Sequence, residues 1–75
     1  MSPKPPLISG RDLVRAFTKL GYLKVSQKGS HIKMRNDATG SVAIIPDHKE
    51  LDRWTLKSIL RDAEISEETL KHYLD

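Results

Sequence analysis

The period of the apolar residues changes at Gly21, and this change constrains the fold of the 75-residue chain more than any other feature. Before Gly21, the apolar residues recur at the spacing of one helix face: Leu13, Val14, Phe17 and Leu20. Ser9, with Asp12 three positions later, has the pattern of a capping box, and Gly21 is suited to a left-handed stop. The sequence therefore predicts a first helix that begins after Ser9 and ends before Gly21.

After Gly21, apolar and polar residues alternate, which is typical of half-buried strands. Strands are predicted at residues 22–27, 31–35 and 41–45, with tight turns at 28–30 and 36–40. Short turns between neighbouring strands indicate an antiparallel meander. The side chains expected to face the core are, in the first two strands, Leu23, Val25, Ile32 and Met34.

A helical period returns after the third strand, which Pro46 is expected to end. Residues 47–54 are predicted to form a loop, Thr55 to cap a second helix, and Ser66 to cap a short last helix. Trp54, just before the second helix, is expected to pack partly buried, with stacking on a base as the alternative. The helices would cover one face of the sheet and leave the other to solvent.

The length of the chain predicts one domain, over residues 8–75, preceded by a proline-containing arm at residues 1–7. On folding, a chain of this size buries only about 60% of the surface that its unfolded form exposes. Its site should therefore be a shallow patch rather than a deep cavity. With no cysteine and three scattered histidines, we expect no metal and no cofactor. No apolar run approaches a membrane span or a signal peptide, and the expected location is the cytoplasm.

The charge of the chain is unevenly distributed. Residues 1–35 carry a formal charge of +7, and residues 36–75 carry −4. A basic half attracts polyanions if its cations fall on one face. The strand pattern predicts such a face, on which these side chains point outward together: Lys24, Ser26, His31, Lys33 and Arg35. Lys28 and the amides of Gly29 and Ser30 would add phosphate contacts from the adjoining turn.

A histidine inside a phosphate-binding patch can do more than bind, because imidazole exchanges a proton near neutral pH. RNA carries a 2′-hydroxyl next to each phosphate, and His31 could remove its proton while nearby cations stabilise the charge on phosphorus. The alternative for His31 is an ordinary surface residue. His48 could contact RNA, donate a proton or cap the next helix, and His72 is most simply a surface residue.

Several short segments, in their order along the chain, resemble the HicA family of mRNA interferases, the toxins of type II toxin–antitoxin pairs. The segments that carry the resemblance, over about residues 7–74, are Leu20-Gly21-Tyr22, Gly29-Ser30-His31, Ile45-Pro46-Asp47-His48, Thr55-Leu56-Lys57-Ser58-Ile59-Leu60 and Ala63-Glu64-Ile65-Ser66. One departure is Trp54, which stands where the family usually has a glycine.

The resemblance implies an α+β fold like that of double-stranded-RNA-binding domains, with the order α-β-β-β-α. It also implies cleavage of mRNA with His31 as the catalytic residue, and a HicB-type antitoxin that blocks the toxin. Either the acidic C-terminal half or the basic face could supply the antitoxin contact. The alternatives in function are a non-catalytic RNA-binding module and a protein-interaction module of the same fold.

Overall fold

The computed structural model describes residues 8–74, so the predicted arm at residues 1–7 lies outside the described residues. Along the chain the elements are α1 (Gly10–Lys19), β1 (Tyr22–Lys28), β2 (His31–Asn36), β3 (Val42–Pro46), α2 (Arg53–Ala63) and α3 (Glu67–Tyr73). The three strands form one antiparallel sheet in the order β1-β2-β3. The predicted α+β fold is confirmed, and its C-terminal helical part consists of two consecutive helices.

The predicted start of α1 is confirmed by a complete capping box. The Ser9 hydroxyl accepts a hydrogen bond from the Asp12 amide at 3.0 Å, and the Asp12 carboxylate accepts one from the Ser9 amide at 3.3 Å. Hydrogen bonds of the Asp12 carboxyl group with the Ser9 backbone and side chain lower the pKa of Asp12, and a further hydrogen bond from Arg15 adds to this shift. After the helix, Gly21 adopts φ 101°, a left-handed conformation that favours glycine.

The predicted start of α2 is wrong by three residues, because Asp52 rather than Thr55 is the N-cap. The Asp52 carboxylate accepts hydrogen bonds from the Thr55 amide at 2.8 Å and from the Thr55 hydroxyl at 2.9 Å. Those bonds lower the pKa of Asp52, the backbone amide contributing most. The predicted cap of α3 is confirmed, since the Ser66 hydroxyl accepts the Thr69 amide at 3.0 Å.

The core lies between the sheet and the helices. Its largest fully buried side chains come from α1, β2, β3 and the loop before α2: Leu13, Phe17, Met34, Ile45 and Leu51. Ile32 is buried beside them, which confirms the predicted inward side of β2. α1 contacts β1, β3 and α3, and α2 contacts β3. No described element covers the opposite face of the sheet, so the predicted open face is present within residues 8–74.

The predicted inward side of β1 is wrong, because Leu23 is 59% exposed and Val25 is 44% exposed. Tyr22 takes the core side instead, with its ring 4.8 Å from the ring of Phe17 between centroids. Since successive side chains alternate, burial of Tyr22 turns Leu23 to the open face. The pairing with β2 then shifts between Lys24 and Ser26, which marks a β-bulge with Val25 as the extra residue.

Candidate active site

The open face of the sheet consists of three rows of side chains that run across the strands. Residues directly opposite in an antiparallel sheet share a face, and their Cβ atoms lie about 4.5–5.5 Å apart. From the hairpin end, the rows are Lys28–His31–Pro46, Ser26–Lys33–Ile44 and Leu23–Arg35–Val42. The middle strand therefore displays one imidazole and two cations in sequence, as predicted for His31, Lys33 and Arg35, which are all exposed.

His31 begins β2 directly after the turn that joins it to β1. Its partner across that turn is Lys28, so only Gly29 and Ser30 separate two paired residues. Gly29 adopts φ 58°, and this left-handed conformation closes the hairpin. The tight turn holds His31 and Lys28 side by side at the rim of the open face.

The turn before His31 is fixed to the loop after β3. The Asp47 amide donates to the Ser30 carbonyl at 2.6 Å, which continues the pairing of the two strands by one residue. One residue later, the His48 carbonyl accepts the amide of Gly10 at 2.8 Å. Those two hydrogen bonds bring the start of α1, the loop with His48 and the turn of His31 to the same end of the molecule.

A shallow cavity of about 470 Å³ lies at that end, lined by Ser9, Arg11, Asp47, His48 and Lys49. Arg11 Nε lies 3.5 Å from Asp47 Oδ1. His48 is exposed in this cavity and not in the rows of the open face. Arg11 and Lys49 were not among the predicted site residues. The only sequence signal for them is their basic charge, and it does not reveal that the loop folds back onto α1.

The cations of the open face differ in how they are held. Arg35 Nε donates to Asp37 Oδ1 at 2.8 Å. The two side chains are 49% and 65% exposed, so the pair restrains the guanidinium without burying it. Within residues 8–74, neither Lys28 nor Lys33 forms an ion pair. Lys33, in the middle of the face, is therefore available to a phosphate.

The predicted placement of Lys24 on the open face is wrong. Lys24 is paired with Met34, whose buried side chain lies on the helix-covered side of the sheet. The Lys24 ammonium donates to Gln27 Oε1 at 2.8 Å on that same side. Ser26 does face outward as predicted, because the bulge at Val25 reverses the alternation between Lys24 and Ser26.

The open face is also more apolar than the sequence analysis predicted. Leu23, Val42 and Ile44 lie on it, each at least 42% exposed. Trp54 was expected to be partly buried, yet it is 85% exposed in the first turn of α2. α2 begins at Arg53, so Trp54 occupies its second position, on the side of the helix away from Leu60 and the core.

The described residues form neither a metal-binding cluster of side chains nor a membrane-spanning helix. Among the described residues, no group of three or more His, Cys, Asp or Glu side chains is arranged to hold a metal ion. None of the helices in residues 8–74 is long and apolar enough to cross a membrane.

A three-stranded antiparallel sheet, with helices on one face and a basic open face on the other, defines a small α+β protein of the double-stranded-RNA-binding-domain-like class. A family model described as the HicA toxin of bacterial toxin-antitoxin systems matches residues 10–65, which is more than half of the chain. The chain therefore belongs to the HicA toxin family and is a toxin with a cognate antitoxin. A search of curated proteins returned no match.

Proposed function

We propose that this toxin is an endoribonuclease that cleaves mRNA, with His31 as its catalytic residue. The observation that carries the proposal is the position of His31, exposed beside Lys28 and in line with Lys33 and Arg35 on a face that no described element covers. Family membership supports the proposal, because it makes the chain a toxin.

In the proposed reaction, a His31 ring nitrogen accepts the proton of a ribose 2′-hydroxyl. The 2′ oxygen attacks the adjacent phosphorus, and the bond from phosphorus to the 5′ oxygen of the next nucleotide breaks. The leaving oxygen takes a proton from His48 or from water, which gives a 2′,3′-cyclic phosphate and a free 5′-hydroxyl. Lys28 and Lys33 stabilise the negative charge that builds up on the phosphate oxygens.

The remaining proposed contacts bind the RNA backbone. Lys33 and Arg35 follow His31 along β2 at every second position, about 6.6 Å apart, and so present cations along the path of a strand laid on the sheet. The amides of Gly29 and Ser30 add donors at the hairpin end. Because mRNA is the proposed substrate, we expect the toxin to act in the cytoplasm and a HicB-type antitoxin to restrain it.

Induced expression of the wild type and of His31→Ala, with growth and RNA integrity followed over time, tests the proposal. We expect the wild type to degrade mRNA and to stop growth, and His31→Ala to do neither. His72→Ala is the matched control, since His72 is exposed on α3 and should leave both effects intact. Binding of RNA without cleavage by the wild type would overturn the proposal in favour of a non-catalytic RNA-binding module.

A further inference from the structure

The free edge of β3 offers main-chain groups that no described residue uses. Two hydrogen bonds show which residues of β3 form hydrogen-bonded pairs with β2. The Asn36 amide donates to the Ser41 carbonyl at 2.9 Å, and the Asp47 amide donates to the Ser30 carbonyl. Because hydrogen-bonded and non-hydrogen-bonded pairs alternate, the main-chain N–H and C=O groups of Ala43 and Ile45 also point toward β2. The N–H and C=O groups of Val42 and Ile44 therefore point away from the sheet, and within residues 8–74 nothing bonds to them.

A groove runs beside this free edge, with α2 as its other wall. Its volume is about 490 Å³, and its lining includes Val42, Ile44, Trp54, Ser58, Ile59 and Asp62. On α2, Trp54, Ser58 and Asp62 follow one another at intervals of four, so they form one face of the helix. A groove between an edge strand and a helix suits an extended peptide, whose backbone pairs with the strand while its side chains contact the helix.

The two edges of the sheet differ in how they resist pairing with another chain. β1 carries a bulge at Val25 and two lysines, Lys24 and Lys28, all of which discourage the addition of a strand. β3 has no charged residue and reads Val-Ala-Ile-Ile before Pro46, which lacks an N–H and so limits pairing at that end. An apolar free edge with an exposed tryptophan beside it marks an interaction surface.

We propose that an extended segment of the cognate antitoxin adds to β3 as a fourth strand and lies in this groove. The inference rests on the toxin's place in a toxin–antitoxin pair and not on the chemistry of His31. The segment would carry apolar side chains against Ile44 and Trp54 and a basic side chain toward Asp62. Val42 and Ile44 lie opposite Arg35 and Lys33, so the added strand would run along the border of the basic face.

Other occupants fit the groove less well. Two copies of this chain joined through β3 would pair edge with edge, but β3 carries no basic side chain to place toward Asp62. An RNA base could stack on Trp54, but stacking alone would leave the amides of Val42 and Ile44 without partners. Only an extended polypeptide uses the edge and the helix face together.

Amide hydrogen exchange measured by NMR tests the pairing directly. The probe is the purified cognate antitoxin, added to the full chain carrying His31→Ala so that cleavage does not interfere. The Val42 and Ile44 amides should exchange rapidly in the free toxin and at least about tenfold more slowly in the complex. Ala43 and Ile45, which are bonded to β2, are internal controls and should be protected in both samples.

Three results would overturn the proposal. The Val42 and Ile44 amides could exchange equally fast with and without the antitoxin. They could be protected in the toxin alone at rising concentration, which would make a second copy the occupant. They could be protected by an RNA oligonucleotide instead, which would make the groove part of the RNA site.

Matched variants test the side chains of the same groove. Ile44→Lys and Leu23→Lys both place a charge at an exposed apolar position of the open face, but on opposite edge strands. In the His31→Ala chain, Ile44→Lys and Trp54→Ala should each raise the Kd for the antitoxin at least about tenfold. Leu23→Lys should change it less than about twofold. Equal effects of Ile44→Lys and Leu23→Lys would overturn the proposal.

The two proposals fail separately. If Ile44→Lys loses antitoxin binding and the wild type cleaves no RNA, the proposed ribonuclease activity is refuted and the proposed antitoxin groove is supported. If cleavage depends on His31 but substitutions at Ile44 and Trp54 leave the antitoxin affinity unchanged, the proposed activity is supported and the proposed antitoxin groove is refuted.

Discussion

Gly10 lies against the carbonyl group of Pro46 so closely that a Cβ atom at Gly10 would be 1.9 Å from the Pro46 oxygen. The Gly10 amide also donates to the His48 carbonyl at 2.8 Å. Between Pro46 and His48 lies Asp47, whose amide holds the Ser30 carbonyl just before His31. The first residue of α1 is thus fitted to the segment that fixes the turn of the proposed catalytic residue.

We expect Gly10→Ala to destabilise the toxin, although alanine is the better helix former by about 1 kcal/mol. The added methyl group meets backbone atoms of Pro46 and Asp47 that cannot move independently, and such overpacking costs roughly 1–3 kcal/mol. Urea unfolding of Gly10→Ala and of Thr18→Ala, an exposed position of the same helix, measures the effect. A Gly10→Ala protein as stable as wild type would contradict the close contact.

Lys33→Ala should weaken RNA binding, whereas Lys24→Ala should not. Both lysines are exposed on neighbouring strands, but Lys33 stands on the open face and Lys24 on the opposite side, bonded to Gln27. Loss of one phosphate contact to single-stranded RNA lowers the slope of log K against log salt by about 0.7. Titration of a short RNA at several salt concentrations gives this slope for each variant. Equal losses in the two variants would show that RNA does not lie on the open face.

Cleavage should depend on the 2′-hydroxyl of the substrate and not on an added metal ion. In the proposed reaction the 2′ oxygen is the nucleophile, and the imidazole with its neighbouring cations supplies the remaining chemistry. Hence we expect a 2′-deoxy nucleotide at the scissile position to block cleavage and a chelator such as EDTA to leave the rate unchanged. Mass spectrometry of the products should find a 2′,3′-cyclic phosphate. Cleavage at the deoxy position would refute the internal nucleophile.

Asp52→Ala should lower the melting temperature at pH 7 and lose its effect in acid. The Thr55 amide and hydroxyl hold the pKa of Asp52 below its ordinary value of 3.8, so its carboxylate stabilises the fold above that pH. This stabilisation disappears as the pH falls below about 4 and through the lowered pKa of the folded state. Melting curves from pH 7 to pH 2 should therefore converge for wild type and Asp52→Ala. Asp62→Ala, later in the same helix, is the control and should show no such loss at pH 7.

The bounds of α1, the start of α3 and the middle strand could be predicted from local chemistry. Ser9, Gly21 and Ser66 act where their residue types favour caps and stops, and the alternation of Ile32 and Met34 gives the orientation of β2 correctly. The start of α2 was harder to predict, because Asp52 and Thr55 are both good N-caps three residues apart. The structure selects Asp52, whose carboxylate binds both polar groups of Thr55.

The face of β1 could not be predicted from alternation alone. Leu23 and Val25 look like core residues in the sequence, but the contact of Tyr22 with Phe17 decides which side turns inward, and that contact joins two different elements. The bulge at Val25 then places Lys24 and Ser26 on opposite faces. Arg11 and Lys49 were missed for a similar reason, since only the folded loop brings them to the His48 cavity.

The most direct measurement of the central claim is the single-turnover rate of RNA cleavage by the purified toxin and by its His31→Ala variant. Both proteins should have the same circular dichroism spectrum, because His31 is exposed and contributes nothing to the core. They should also bind RNA with similar affinity, because the proposed phosphate contacts come from other residues. We expect the variant to be slower by roughly 10²–10⁴, the usual effect of losing a general base. Cleavage by His31→Ala at the wild-type rate would contradict the assignment of this imidazole as the catalytic group.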